Sequence, residues 1–382
     1  MKTPGFSNHA NKIKRARSIY INELVYQAKR NGRDPVVLSL GEAYFDIPNY
    51  GFDNDLVFGG YHYSDSQGLP SLREKIRDYL SDKHGAKDLN SDENIMISMG
   101  SKALTYMSML LALNEGDEVL LHEPAWLSYE DQASLCGASV RYLPYQHTLK
   151  EISESISGRT KFIVINNPNN PAGWVYDFDE LKSLIAEAQE KGVFVLVDEA
   201  YSDFTRNEGF FSAASLVREY GNLIVVNSIS KNFGMSGWRV GFAAANKEII
   251  QKLTVINQHM VTCAPTMLQL YIEKNFDEIW SVCNRQIDSL LVKRKKVRDL
   301  LDRYGFKALE GGATFYFFVE LWADGQNASD VAEKLLIEDD VALVPGEAYG
   351  KTTSHFVRLS FGTESLERIE YALRKIRARV QA

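Results

Sequence analysis

Lys231 and Arg239 sit among hydroxyls and glycines in Ser228-Ile229-Ser230-Lys231-Asn232-Phe233-Gly234 and in Gly237-Trp238-Arg239-Val240-Gly241 just after it. These residue types suit a phosphate ligand that is also held covalently. A lysine amine condenses with an aldehyde to a Schiff base, serine hydroxyls bond a phosphate, and a guanidinium fork clamps it. Lys231 by itself would read as a solvated surface lysine, the commonest place for that residue. The neighbouring serines and Arg239 give the segment the chemistry of a pyridoxal phosphate anchor. Upstream, the apolar run Leu223-Ile224-Val225-Val226 predicts a buried strand, so Lys231 is expected on the loop leaving its carboxyl end. Open α/β sheets bind ligands at that edge.

Similar runs recur at Asn94-Ile95-Met96-Ile97, Val119-Leu120-Leu121, Phe162-Ile163-Val164-Ile165 and Val193-Phe194-Val195-Leu196-Val197, separated mostly by helix-period segments such as Glu180 to Lys191. Alternation of this kind predicts an α/β fold with a mainly parallel, helix-covered sheet. Polar residues follow each run: Gly100-Ser101-Lys102, Glu123-Pro124-Ala125-Trp126, Asn167-Pro168-Asn169-Asn170-Pro171, Asp198-Glu199-Ala200-Tyr201 and the Lys231 segment. They are expected to collect at one edge of the sheet. Asp198 closes a valine-rich strand, where a carboxylate is costly to bury without a cation. The alternative for Asp198 is a cap on a following helix.

After about residue 290 the pattern changes. A basic helix around Lys293 to Arg298 precedes the run Phe315-Tyr316-Phe317-Phe318-Val319, a helix-like Ser329 to Ile337, a strand near Val341 and a last helix. This predicts a smaller α+β domain, joined by the N-terminal segment with its helix-like Tyr20 to Arg30 and the short strand Val36 to Leu40. The large domain is expected over 46–289, and the small one over 1–45 and 290–382.

The 382 residues are 45% hydrophobic and 24% charged, an ordinary globular composition. A net charge of −7 and the lack of a basic stripe argue against nucleic acid as a partner. No apolar stretch approaches the roughly 20 residues of a membrane helix, and Met1 to Gly5 shows no leader-like apolar region. Cys136, Cys263 and Cys283 form neither a disulfide framework nor a metal motif, which points to a cytoplasmic protein without a metal.

With these strand ends in hand, the chain resembles the class I and II aminotransferases, the fold type I family of pyridoxal phosphate enzymes, along nearly its whole length. The likeness rests on Gly41-Glu42-Ala43-Tyr44-Phe45, Tyr63 with Gly68-Leu69-Pro70-Ser71-Leu72-Arg73, Gly100-Ser101-Lys102, Asn167 to Gly173, Asp198-Glu199-Ala200-Tyr201, the lysine segment, and Val357-Arg358-Leu359-Ser360-Phe361. In pattern it is nearest the aspartate/prephenate aminotransferase branch. The resemblance implies pyridoxal 5'-phosphate as cofactor, with Lys231 as its Schiff base lysine. It further implies Asp198 on the pyridine nitrogen, Tyr201 and Asn170 on the phenolic oxygen, and Trp126 stacked on the ring. Ser101, Lys102, Ser228, Ser230 and Arg239 would hold the phosphate, helped by Tyr63 of a neighbouring subunit in a homodimer with shared sites. A surface aromatic is the plainer reading of Tyr63. For the substrate, Arg358 is implied to grip the α-carboxylate beside the Gly41 backbone, with Asn170 and Trp126 close by.

Transamination between an amino acid and a 2-oxo acid is the activity this implies. A lyase, decarboxylase or oxidase-like reaction on the same cofactor, or a regulatory domain without catalysis, are the other readings. Specificity stays open between acidic and aromatic side chains. Lys102 either meets a distal carboxylate, with Arg17 or Ser18 as a second contact, or points to solvent with only its amide in use. Ala43-Tyr44 departs from the Pro-Asp usual in that branch, and Tyr44 and Phe45 either narrow the pocket or favour an aromatic or hydrophobic side chain. The segment between Pro48 and Tyr63 is shorter than usual, and Ala172 replaces a common threonine.

Overall fold

The protein is described from a computed structural model covering residues 5–7, 10–11, 13, 15–205, 209–321 and 327–381. Among these residues twelve strands form: β1 (Val36–Val37), β2 (Ile95–Ser98), β3 (Glu118–His122), β4 (Ser139–Leu143), β5 (Thr160–Asn166), β6 (Phe194–Asp198), β7 (Leu223–Ser228), β8 (Gly241–Ala245), β9 (Tyr316–Glu320), β10 (Val341–Ala342), β11 (Val344–Pro345) and β12 (Phe356–Ser360). Seven of them make the main sheet, in the order β2-β8-β7-β6-β5-β3-β4. β8 runs antiparallel to both β2 and β7, and the other pairings in this sheet are parallel.

Alternation along the strands sends side chains to both faces of the sheet, the two sides of the main core. Ile97, Ile163, Val195, Val197 and Val225 pack on one face with the helices Pro70–His84 and Phe178–Glu190. Met96, Phe162, Val164, Leu196 and Val226 pack on the other with Ser101–Ala112 and Lys247–Met260. Burial on both faces is why the central strands read as unbroken apolar runs. Truncating a fully buried Phe162 to alanine would cost about 3–5 kcal/mol.

Local chemistry sets most helix starts. Asp177 accepts from the amides of Asp179 and Glu180 to cap Phe178–Glu190, and Asn246 accepts from Ile249 to cap Lys247–Met260. The helix Ser101–Ala112 differs. It begins at Gly100, at φ 82°, with no side-chain cap, so its first amides are left for another acceptor.

A second core gathers Val36, Leu38, Phe315, Tyr316, Phe317, Val319, Val357 and Leu359. Its strands form the antiparallel sheet β11-β12-β9 and the parallel pair β1-β10. The helix Phe276–Arg303 runs unbroken between the two parts. Its Phe276, Ile279 and Cys283 pack in the main core and its Ile287, Val297, Leu300 and Leu301 in the second, so position 290 falls inside a helix and not in a linker.

Two strands of the main sheet, β4 and β8, lie outside the five expected. Gly241-Phe242-Ala243-Ala244-Ala245 carries no β-branched residue, and its alanines favour helix. Its pairing on both sides, with β2 and β7, makes it a strand.

Candidate active site

The strand order decides which strand ends meet. β5, β6 and β7 are neighbours, so Asn166, Asp198 and Ser228 end side by side at one edge. Because β8 is antiparallel, its first residue Gly241 faces both Ser228 and Ser98 at that same edge, which delivers Arg239 beside Gly100. A Cβ on Gly100 would lie 2.7 Å from an Arg239 guanidinium nitrogen, and one on Gly241 would lie 2.6 Å from the Ser101 amide. Only glycine permits both approaches.

A cavity of about 180 Å³ opens here between the main sheet and the second core. Gly41, Ser101, Trp126, Asn170, Asp198, Tyr201, Lys231 and Arg358 line it, all of them named from the sequence. Asn22, Ser39, Tyr129, Asn166, Ala200 and Tyr316 line it too and were not expected as site residues.

Lys231 lies in the short helix Ile229–Asn232 directly after β7, and not on a loop, since the Ser228 hydroxyl accepts from the Ser230 amide and starts a helical turn. Its Nζ donates to the Gly41 carbonyl at 2.5 Å. Burial, with nearby Arg358, Arg239 and Lys102 acting against Glu42, pulls its pKa down to about 8. Asp198 accepts from the Tyr129 hydroxyl at 2.7 Å and from the Ala200 amide at 3.1 Å, and forms no ion pair among the described residues. Burial, against these two hydrogen bonds, pushes its carboxyl up to about 6. Tyr201 shares a 2.9 Å hydroxyl contact with Tyr316 and accepts from the Asn170 amide at 3.3 Å.

Arg358 is only 4% exposed. It donates to the Ser39 carbonyl at 2.7 Å, reaches Asn170 Oδ1 at 3.5 Å, and keeps a buried Nε with no partner. No carboxylate pairs with it among the described residues, which is costly for a buried cation unless an anion binds.

The remaining expected residues, Lys102 among them, do not line this cavity. Arg239 donates to the Ser236 carbonyl at 2.7 Å. Ser230 sits on the Lys231 turn, and the Ser228 hydroxyl is already engaged in starting it. Lys102 is an exposed residue whose ammonium nevertheless lies 4.8 Å from the Trp126 ring centroid, and burial of that head lowers its pKa. Tyr63 is 85% exposed and takes no part in lining the cavity. Arg17 is engaged elsewhere, with Ser329 and Glu347, and the Ser18 side chain lies outside the described residues.

Tyr44 does not narrow the cavity. It is 70% exposed and borders two neighbouring clefts, while Phe45 packs against Gly234 between the two cores. Among the unexpected residues, Tyr129 follows Trp126 by one helical turn and Asn166 precedes the Asn167-Pro168 motif, a proximity that could have drawn attention to both. Tyr316, inside an aromatic run, carried no such signal.

The family model for aminotransferase class I and II matches residues 59–376. The aspartate aminotransferase of Thermotoga maritima is 31% identical over 357 residues, 91% of this chain and 92% of that protein. The probable aspartate/prephenate aminotransferase of Aquifex aeolicus is 30% identical over 401 residues, 97% and 99% of the two chains. Among solved structures, aspartate aminotransferase from Thermus thermophilus with maleate superposes with a TM-score of 0.86 at 26% identity, covering 99% of each chain.

The cavity suits the cofactor that this family uses. A buried Asp198 without a cation matches a protonated pyridine nitrogen, an amine lowered to about 8 matches an aldehyde, and Arg239 beside uncapped helix amides matches a phosphate. The family match spans well over half of the chain, and the relatives agree with it along nearly the full length. The chain therefore belongs to the class I and II aminotransferases, with fold type I architecture, and is a pyridoxal phosphate-dependent aminotransferase.

Proposed function

We propose that this aminotransferase acts on acidic amino acids and their 2-oxo acids, with Arg358 on the α-carboxylate and the Lys102 ammonium on the distal one. The observation that carries this reading is the pair of cations, one buried and one with its head over Trp126, neither with a carboxylate among the described residues. The relatives named aspartate aminotransferase support it.

Pyridoxal phosphate, when bound, supplies an aldehyde and a ring that withdraws electrons from the substrate Cα. Asp198 would hold the proton on the ring nitrogen, Tyr201 and Asn170 would donate to the ring oxygen, and Trp126 would offer a flat face to the ring. Arg239, the hydroxyls of Ser228 and Ser230, and the amides of Ser101 and Lys102 would receive the phosphate. Lys231 serves as covalent anchor and then as the base that takes the Cα proton and gives it back. With a pKa near 8, a useful fraction of its amine is neutral around neutral pH. Arg358 orients the substrate through its carboxylate, and the Gly41 carbonyl steadies Lys231.

The same reading takes 46–289 as the large domain and 1–45 with 290–382 as the small one, on the strength of the two separate cores. It takes the protein as a cytoplasmic homodimer. Unpaired cysteines support the location. The exposed aromatics Phe52, Phe58, Tyr61 and Tyr63 support the dimer, in which Tyr63 would reach the phosphate of the partner's site. Mixing inactive Tyr63→Ala and Lys231→Ala subunits would restore some activity if sites are shared, and a monomer in sedimentation would rule sharing out.

Absorption of the cofactor-loaded protein tests the substrate. Aspartate and glutamate should bleach the visible band, and a 2-oxo acid should restore it. If aromatic amino acids bleach it and acidic ones do not, the acidic assignment falls.

A further inference from the structure

Tyr316 joins the two halves of the site. It opens β9, is fully buried, and its hydroxyl lies 2.9 Å from that of Tyr201. In the β9–β12 register Tyr316 faces Ser360 and Phe318 faces Arg358, so alternation puts Tyr316 and Arg358 on one face of the sheet. There the guanidinium carbon stands 4.6 Å from the centroid of the Tyr316 ring. The same hydroxyl lies 3.3 Å from where a Cβ on Gly41 would stand, next to the carbonyl that receives Lys231.

Either hydroxyl can donate across the Tyr316–Tyr201 contact, and the proposed role of Tyr201 selects the direction. If Tyr201 spends its proton on the cofactor's phenolic oxygen, its own oxygen can only accept, and Tyr316 and Asn170 are the two donors beside it. A donated proton polarises the Tyr201 hydroxyl and strengthens its outgoing bond. Meanwhile the Tyr316 ring supports a cation that lacks a counter-ion.

We propose that Tyr316 is a positioning residue that ties the carboxylate grip to the cofactor side of the site, its hydroxyl donating to Tyr201 and its ring backing the Arg358 guanidinium. This rests on the proposed roles of Tyr201 and Arg358. The charged and titratable groups around it are Tyr201 after β6, Arg358 on β12 and Glu42 after β1, with Asp198 and Tyr349 acting on its partners.

The test uses the cofactor-loaded protein and follows the pH midpoint of its visible band together with KM for the amino acid. Tyr316→Phe keeps the ring and loses the hydroxyl. It should raise the midpoint by about 0.5 unit, roughly a threefold change in proton affinity, and leave KM within about twofold. Tyr316→Leu loses both and should in addition raise KM about tenfold. Tyr201→Phe is the reference. If it moves the midpoint while Tyr316→Phe does not, the Tyr316 proposal is overturned and the Tyr201 role stands. If neither moves it, the Tyr201 role fails and the proposal with it. A KM that rises as far in Tyr316→Phe as in Tyr316→Leu would also overturn the division between ring and hydroxyl.

Discussion

Two buried polar clusters share the Ile229–Asn232 turn. On the cavity side, Asp198, Lys231 and Arg358 are charged, enclosed and without ion partners among the described residues. Behind them, Asp203 accepts from Tyr79 at 2.9 Å and from the Trp280 indole at 3.2 Å, and it contacts His84 at 2.9 Å. Asn232, next to Lys231, donates to Ser202 at 2.9 Å and accepts from the Asp203 amide at 3.2 Å. The rear cluster is closed by the protein's own groups and the front one is left open for ligands. A satisfied buried network stabilises and fixes a fold, whereas an unsatisfied one stores a cost that a ligand relieves. The contrast teaches which buried charges belong to structure and which to chemistry.

Substitutions can break this contrast. The largest effect is expected from Lys231→Ala, with turnover falling roughly 10^4-fold and covalent attachment lost. Near-normal activity would end its role as anchor. Arg358→Ala should cost about 3–5 kcal/mol in kcat/KM, carried mainly by KM; an unchanged KM for every substrate would remove it from the carboxylate site.

At the rear the effect should fall on stability. Asp203→Ala removes the acceptor shared by the Tyr79 hydroxyl and the Trp280 indole, together with the contact to His84, and should cost about 3 kcal/mol in urea unfolding of the cofactor-free protein. A loss below about 1 kcal/mol would mean that this cluster is not the brace described.

Asp198→Asn should do the reverse. Burial pushes its folded carboxyl up to about 6 from the ordinary 3.8, so the ionised form costs stability above pH 6 and nothing below about 4. The cofactor-free variant should therefore gain roughly 2–3 kcal/mol at pH 8, fading toward pH 4, while it binds the cofactor worse. Equal stability at both pH values would place a counter-ion beside Asp198.

The smallest effect belongs to Lys102→Ala, about a tenfold loss in kcat/KM confined to acidic substrates. An equal loss with aromatic ones would leave only its amide in use.

Much of the front cluster was legible because its residues follow apolar runs in short motifs. Asp198 after Phe194–Val197 and Lys231 after Leu223–Val226 could be placed at strand ends from pattern alone. The rear cluster was invisible in the sequence. Tyr79, His84, Asp203 and Asn232 come from three separate segments, and none stands in a pattern that marks a partner. Tyr129 was missed because it is one tyrosine at the start of a helix, and Tyr316 because it sits in an aromatic run that reads as core.

The order of runs, the helix starts at Asp177 and Asn246, and the residue types at each strand end were determined by the sequence itself, since hydrophobic period and local capping act over a few residues. Tertiary structure alone decided that Gly241–Ala245 is a strand, that its antiparallel course carries Arg239 to Gly100, and that Tyr316 meets Tyr201 across 115 positions. It also decided that Tyr44 turns away from the cavity. Such contacts join segments far apart in the chain, and their energies depend on burial and on partners that no local window contains.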